Sequence, residues 1–307
     1  MKQGFVKVAS ATPKIRVADP VYNARAICTQ AKEAAEHGAK IIVFPELCIT
    51  GYTCNDLFLQ NLLLMKAKEA LLTIAEETSR LEALLFVGLP VEKDGRLYNV
   101  AAAVYRGSIL GMIPKKNIPT YAEFYEGRYF TPGEERITNL RLGEYEIPFG
   151  TNLLFCCEEL PELVLGCEIC EDLWVADPPS TSHALAGATV IANLSASNET
   201  VSKDSYRELL VKSTSARLLC GYIYTSAGEG ESTQDLVFGG HNLIAENGTL
   251  LAHSSRFATG ILYTDLDVLK ISSERRRMGT FGKQPTASYC QIPFSMELAE
   301  TKLERKF

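Results

Sequence analysis

The feature that most constrains this chain is a set of short, almost wholly apolar runs, each closed by a turn. They are Ile41-Ile42-Val43-Phe44, Leu84-Leu85-Phe86-Val87-Gly88, Leu163-Val164-Leu165-Gly166 and Val190-Ile191-Ala192-Asn193-Leu194. Successive side chains of a strand point to opposite faces, so a strand without polar alternation needs cover on both sides. The cover is also legible. Asp19-Pro20 opens a helix that runs to His37, with Ala24, Ile27, Cys28, Ala31, Ala34 and Ala35 at helical spacing and Gly38 placed to cap it. A second helix is expected from about Asp56 to Ser79, with Leu57, Leu62, Leu64, Ala67, Leu71, Ile74 and Ala75 mostly on one side. A short helix around Ala184, Leu185, Ala186 and Ala188 and a longer one over Ser202 to Leu219 repeat the arrangement. Helix pairs flanking strands, twice over, predict an α/β fold: two sheets face to face with helices outside, a four-layer α-β-β-α sandwich.

The remaining pieces fit around that plan. Gly4 to Ala9 reads as a first strand. Lys93-Asp94-Gly95 and Arg106-Gly107 read as hairpin turns, the latter between Val100–Tyr105 and Ser108–Ile113. The loop from Pro114 to Glu135 holds five aromatic residues and many charges, and loops of this length inside a domain are usually functional. Strands follow near Tyr145, at Leu153-Leu154-Phe155 and at Tyr222 to Thr225, where Tyr222 and Tyr224 read as core. A hairpin turns at Asn247-Gly248, a strand covers Ile261 to Tyr263, and a helix runs from Asp267 to about Met278. Arg275-Arg276-Arg277 reads as a solvated helix face or a packing contact. One domain is expected over residues 1–283. Residues 284–307, weakly periodic and ending in Lys302-Leu303-Glu304-Arg305-Lys306-Phe307, read as a linker or arm.

Charge and cysteine usage exclude several classes. A formal net charge of −6 argues against nucleic acid and against an anionic membrane surface as partners. No run reaches the ~18 apolar residues of a membrane helix, and charge interrupts the first apolar run, unlike a signal peptide. Nine cysteines, an odd number without paired spacing, predict reduced thiols and a cytoplasmic location.

The stretch Gly166-Cys167-Glu168-Ile169-Cys170-Glu171-Asp172-Leu173-Trp174 ends a strand with a thiol and then bends. Such a thiol is either one more buried cysteine or a rigidly held nucleophile. A nucleophile needs a base and an oxyanion donor. None of His37, His183, His241 and His253 sits in a pattern that pairs with a thiol. Glu46 follows a buried strand and Pro45, where lost solvation raises a carboxyl toward a useful pKa, unless it is an ordinary surface glutamate. Lys115 stands in the same position after Ile109 to Ile113 and Pro114, with Lys116 beside it as the confounder; one of the two should be solvated. Zinc held by Cys156, Cys157, Cys167 and Cys170 is disfavoured, because the adjacent pair would point to opposite faces of a strand. No metal site is expected. A redox dithiol at Cys167 and Cys170 lacks the helix start that such motifs use.

Three blocks carry a family resemblance: F-P-E-L-C-I-T-G-Y at 44–52, P-K-K-N-I-P-T-Y-A-E-F-Y-E at 114–126 and C-E-D-L-W at 170–174. In order and separation they resemble the signature blocks of the nitrilase (carbon–nitrogen hydrolase) superfamily. Within it, A-N-L-S-A-S at 192–197, S-A-R at 215–217, A-G-E-G-E-S-T-Q-D-L at 227–236, E-N-G at 246–248 and R-R-M-G-T-F at 276–281 are similar to the N-terminal glutaminase domains of glutamine-dependent NAD synthetases. The likeness covers about residues 4–283.

The resemblance implies that Cys170 attacks the side-chain amide of glutamine, that Glu46 serves as general base and acid, and that Lys115 with the Glu171 N–H holds the oxyanion. Glu126 would support the triad. Tyr52, Tyr121, Phe124, Glu171, Ser197 and Lys203 would bind substrate, with Glu171 suited to the α-ammonium and Lys203, arginine in some relatives, to the α-carboxylate. The glutaminase part needs no cofactor; ATP and magnesium belong to a C-terminal synthetase domain that this sequence lacks, since no Ser-Gly-Gly pyrophosphate loop is present. The arm at 284–307 would lead toward that domain. G-E-G-E at 228–231 would repel phosphate and reads as an irregular loop, a candidate lining of the ammonia exit. A homo-oligomer is expected. The alternatives are a free-standing amidase of another carbon–nitrogen substrate and a non-catalytic assembly module with the same fold.

Overall fold

Two sheets lie face to face in the computed structural model, which describes residues 1–282, 288–300 and 302–305. The first sheet has the spatial order β14 (Gly260–Asp267), β1 (Phe5–Thr12), β2 (Ile41–Val43), β3 (Leu84–Lys93), β4 (Arg96–Tyr105), β5 (Ser108–Pro114), β7 (Tyr145–Phe149) and β6 (Thr138–Leu142). The second has the order β13 (Thr249–His253), β12 (Leu243–Glu246), β11 (Gly221–Ser226), β10 (Val190–Ser195), β9 (Val164–Ile169), β8 (Leu153–Cys157) and β15 (Cys290–Phe294).

The apolar runs behave as strands covered on both faces. Ile41, Val43, Leu84 and Phe86 point into the layer between the sheets, where they join Leu153, Phe155, Leu165, Val190, Ala192 and Ile223 from the opposite side. Ile42, Phe44, Leu85 and Val87 point the other way, onto α1 (Pro20–Glu36) and α2 (Asn61–Glu77). Leu154, Ile191 and Tyr222 do the same in the second sheet, against α3 (Pro179–Leu185) and α4 (Lys203–Leu218). The order helix, sheet, sheet, helix is the expected sandwich. Cys156 and Cys157 fall on opposite sides of their sheet, one in the helix-side layer and one between the sheets.

Several local expectations are corrected. Residues 52–59 form a 3-10 turn, Tyr52–Leu59, and α2 begins only at Asn61. Gln60, in an extended conformation with φ of −93° and ψ of 122°, separates the turn from α2, while Glu231 holds the start of the turn through the N–H groups of Tyr52 and Thr53. α3 stops at Leu185, before Gly187. β6, hidden in polar sequence, adds an edge strand antiparallel to β7.

The segment read as a linker or arm is laid on the body. β15 pairs in parallel with β8, and Phe294 and Met296 are buried in the inter-sheet layer. Farther on, Arg305 bonds both oxygens of the buried Glu246, at 2.6 and 2.9 Å, and Glu304 reaches the buried Lys7 at 3.3 Å. Buried charges need such partners. The boundary expected at 283/284 and the last residues of the charged ending lie outside the described residues. Arg275 proves a packing contact, donating to the carbonyls of Ala188, Leu218 and Leu219, while Arg276 and Arg277 are exposed.

Candidate active site

Three strand ends meet where the two sheets face each other. β2 of the first sheet runs out through Phe44-Pro45 into Glu46. β5, three strands farther across the same sheet, ends at Pro114 and delivers Lys115. β9 of the second sheet ends at Ile169 and delivers Cys170. The sheets are tied together at this point, because the Glu46 N–H donates to the Ser195 carbonyl at 3.3 Å and the Ala196 N–H donates to Glu46 Oε2 at 2.8 Å. Gly88 on β3 makes room for the turn. A Cβ there would sit 2.3 Å from the Leu47 nitrogen and 2.6 Å from the Pro45 carbonyl oxygen.

Glu46 and Lys115 are fully buried. Lys115 Nζ donates to Glu46 Oε1 at 2.7 Å and to Glu126 Oε1 at 2.6 Å. Lys116, the confounder, turns outward to Glu135. Two carboxylates therefore share one ammonium out of water. Burial opposes the charge on Lys115, but Glu126 and Glu46 together hold its pKa well above the ordinary lysine value. Glu126 is pushed up to about 7, first by burial and then by the Glu46 charge, against the pull of Lys115. An excess of negative charge in a dry site favours uptake of a proton, and Glu126 is pushed in that direction.

Cys170 lies in the same field. Its backbone is left-handed, with φ of 45°, at the start of a 3-10 turn over Cys170–Leu173. Non-glycine residues in this region cluster at functional positions. Burial, and then the negative charge of Glu46, push its thiol far above the usual value, while Lys115 and the Ala196 N–H work the other way. The resting sulfur is a thiol, so any attack must be coupled to removal of its proton.

Two residues central to this geometry were given no role by the sequence, although one of them, Asp172, lies inside the block at 170–174. Asn99 on β4 donates to Glu46 Oε1 at 2.6 Å and to Glu126 Oε2 at 3.4 Å, and its carbonyl accepts from the Lys115 N–H at 2.8 Å. The available signal was a lone amide inside Leu97-Tyr98-Asn99-Val100-Ala101-Ala102-Ala103. Asp172 accepts from the Ile169 N–H at 3.0 Å and from both the backbone and side-chain nitrogens of Asn117 at 2.8 Å. It thereby fixes the cysteine turn to the chain just past Lys115.

The residues expected around a substrate divide into two groups. Tyr52 lies behind Glu126, with its hydroxyl on Glu126 Oε1 at 2.9 Å and its ring edge-on to Phe238. Tyr121, half exposed, donates to Glu171 Oε1 at 2.9 Å and packs edge-on to Phe124. Lys203 Nζ lies 4.9 Å from the Trp174 ring centre and 5.6 Å from that of Phe124. Ser197 is buried and accepts from Arg207, at 3.3 Å, through its hydroxyl. Glu231 of the glycine-rich loop holds the 3-10 turn that carries Tyr52. A small pocket of about 50 Å³ opens beside Tyr52, Glu126, Phe58 and Phe130, but Cys170 does not line it. It lies on the carboxylate side of the cluster, and the rim of Tyr121, Phe124, Trp174 and Lys203 is the better candidate for the approach to the sulfur.

Comparison with known proteins bears on the family and the fold. The profile of the carbon-nitrogen hydrolase family matches residues 7–276. A glutamine-dependent NAD(+) synthetase of Mycobacterium tuberculosis is 44% identical over 304 residues, which is 96% of this chain and 45% of that protein. One from Aquifex aeolicus is 32% identical over 80% of this chain and 40% of its own length. The chain thus spans less than half the length of these curated relatives. The crystal structure of a glutamine-dependent NAD(+) synthetase from Cytophaga hutchinsonii superposes with a TM-score of 0.77 at 29% identity, over 85% of this chain and 43% of that one. An amidase from Nesterenkonia sp. shares the fold, with a TM-score of 0.66 at 22% identity over 90% of this chain and 97% of its own.

Proposed function

This chain belongs to the carbon–nitrogen hydrolase family, and on that premise we propose that it hydrolyses the side-chain amide of L-glutamine through a thioester on Cys170. Glu46 takes the thiol proton as sulfur attacks the amide carbon. The developing oxyanion is held by Lys115 Nζ and the Glu171 N–H. Collapse breaks the carbon–nitrogen bond, and Glu46 returns the proton to the leaving nitrogen, releasing ammonia. A water then loses its proton to Glu46 and attacks the thioester; glutamate leaves and the thiol is restored. Glu126 keeps Lys115 in place.

The observation that carries this reading is the Lys115 ammonium bonded to Glu46 and Glu126 at the strand ends that also present Cys170. It supplies a base, an oxyanion donor and a nucleophile without histidine or metal. The restriction to glutamine draws on the longer relatives, which are glutamine-dependent NAD(+) synthetases. On the same ground the ammonia would serve ATP-dependent amidation of deamido-NAD by a synthetase domain, with ATP and magnesium used there. The arm at 284–307 would lead to that domain. We further propose a cytoplasmic homo-oligomer and low glutaminase turnover by this chain alone, because a partner domain would couple hydrolysis to ammonia demand.

The test is covalent capture. A diazoketone analogue of glutamine should add once per chain, and Cys170→Ala should abolish the adduct in intact-mass spectra. A panel of glutamine, asparagine, simple amides and a nitrile then identifies the substrate class. Unlabelled wild-type chain would favour a non-catalytic module, and faster turnover of simple amides than of glutamine would favour a free-standing amidase.

A further inference from the structure

A side-chain amide that the proposed chemistry does not use lies at the rim of the site. Asn198 is buried, and its backbone is fixed twice: its carbonyl accepts from Arg207 Nη2 at 3.1 Å, and it forms a lone antiparallel bridge with Phe238. Arg207 is itself buried and anchored on Glu199 at 2.7 Å and His241 Nδ1 at 3.0 Å. The amide that projects from this rigid point has two partners of opposite charge. Its nitrogen donates to Glu123 Oε1, from the aromatic loop, and its oxygen accepts from Lys203 Nζ, at the start of α4. Lys203 is also flanked by the Trp174 and Phe124 rings, so its position is set from several sides.

We propose that Asn198 is a specificity-determining positioning residue: it holds Glu123 by one hydrogen bond and Lys203 by another, so that the Lys203 ammonium is kept from pairing with Glu123 and stays turned to the carboxylate of an α-amino acid substrate, whose ammonium falls to Glu171. Left without a spacer, a lysine and a glutamate this close would pair with each other and present little field to a ligand. An intervening amide satisfies each of them by one hydrogen bond and leaves the remaining donors and acceptors open. This favours substrates that carry an α-carboxylate and leaves the attack on the amide untouched. The inference rests on the glutaminase reading above.

Its test compares two electrophiles that report on Cys170 without needing turnover. One is the diazoketone analogue of glutamine, which carries the headgroup; the other is iodoacetamide, which does not. In the full chain, Asn198→Ala should slow labelling by the first about tenfold or more, the scale of a lost hydrogen bond to a charged group. Labelling by iodoacetamide should change less than about twofold, because the chemistry at sulfur is not addressed. Asn198→Asp, which can accept from Lys203 but repels Glu123, should also lose discrimination between the two probes. Equal slowing with both probes would make Asn198 a purely structural residue and overturn the proposal, as would unchanged rates with both. A wild-type chain that reacts with iodoacetamide and ignores the glutamine analogue would overturn the glutaminase reading itself, and this inference with it.

Discussion

Lys115 and Glu126 meet at 2.6 Å in a place that water does not reach, and Glu46 stands on the other side of the same ammonium at 2.7 Å. Burial first, and then the second carboxylate on the same ammonium, push Glu126 up to about 7. Above that pH the added negative charge disfavours the neighbouring thiolate. Glu126→Gln should therefore react faster with iodoacetamide than wild type at pH 8, and less differently at pH 6, where Glu126 is already protonated. Hydrolysis of the substrate amide should nonetheless fall, because Lys115 loses its orienting carboxylate. Alkylation rates between pH 6 and 8, followed by mass spectrometry, check both signs.

Asp172 ties the cysteine turn to the lysine loop through Asn117. Asp172→Ala orphans buried N–H groups and should cost about 1–3 kcal/mol. A double-mutant cycle with Asn117→Ala in urea should show coupling on the order of 0.5–3 kcal/mol, since the two share a network. Additive losses would mean that the clamp does not act as one unit.

Glu168, buried beneath the nucleophile's strand, gives a pH signature of its own. Burial pushes its carboxyl up to about 7, while Tyr222 and the Ser180 N–H pull it down. The folded state therefore holds a proton that the unfolded chain releases near the ordinary glutamate pKa. Stability should fall as pH rises through the window from that value to about 7, by on the order of 3 kcal/mol. Glu168→Gln, which resembles the protonated acid, should weaken this dependence. Urea melts at pH 5 and 8 decide it, and an unchanged slope in the variant would reject the assignment.

Gly88 faces the turn that carries Glu46, and the missing Cβ is what lets backbone pass backbone there. Gly88→Ala should destabilise by about 3 kcal/mol or more, since no flexible side chain can yield. Thermal melting measures this, and Cys170 labelling should slow in step because Glu46 is displaced.

Where the sequence was readable, the reason is local. Apolar runs ending in Phe44-Pro45, Pro114 and Ile169 announce strand ends, and chemistry-bearing residues placed just after them stand out against that background. The helix α1 was legible from Asp19 to Gly38 because cap, periodicity and stop all lie within one stretch. The 3-10 turn at Tyr52–Leu59 was not, because its start is held by Glu231, far away along the chain, and its separation from α2 is a backbone turn at Gln60 that no side-chain pattern announces. Asn99 and Asp172 were overlooked for the same reason: each acts on partners from other strands and loops. β15 is short and carries Pro293, so only the free edge of β8 explains it, and that edge exists only once the second sheet has formed.

The docked arm brings the beginning of the chain against its later part. The Met1 amine donates to the Ala299 carbonyl at 2.6 Å, with Glu304 on Lys7 nearby. Met1 and Ala299 are thus neighbours across one edge of the fold. A short peptide joining these neighbours, with new termini opened at the exposed Asp94-Gly95 hairpin, should yield a circular permutant that keeps all three strand ends in register.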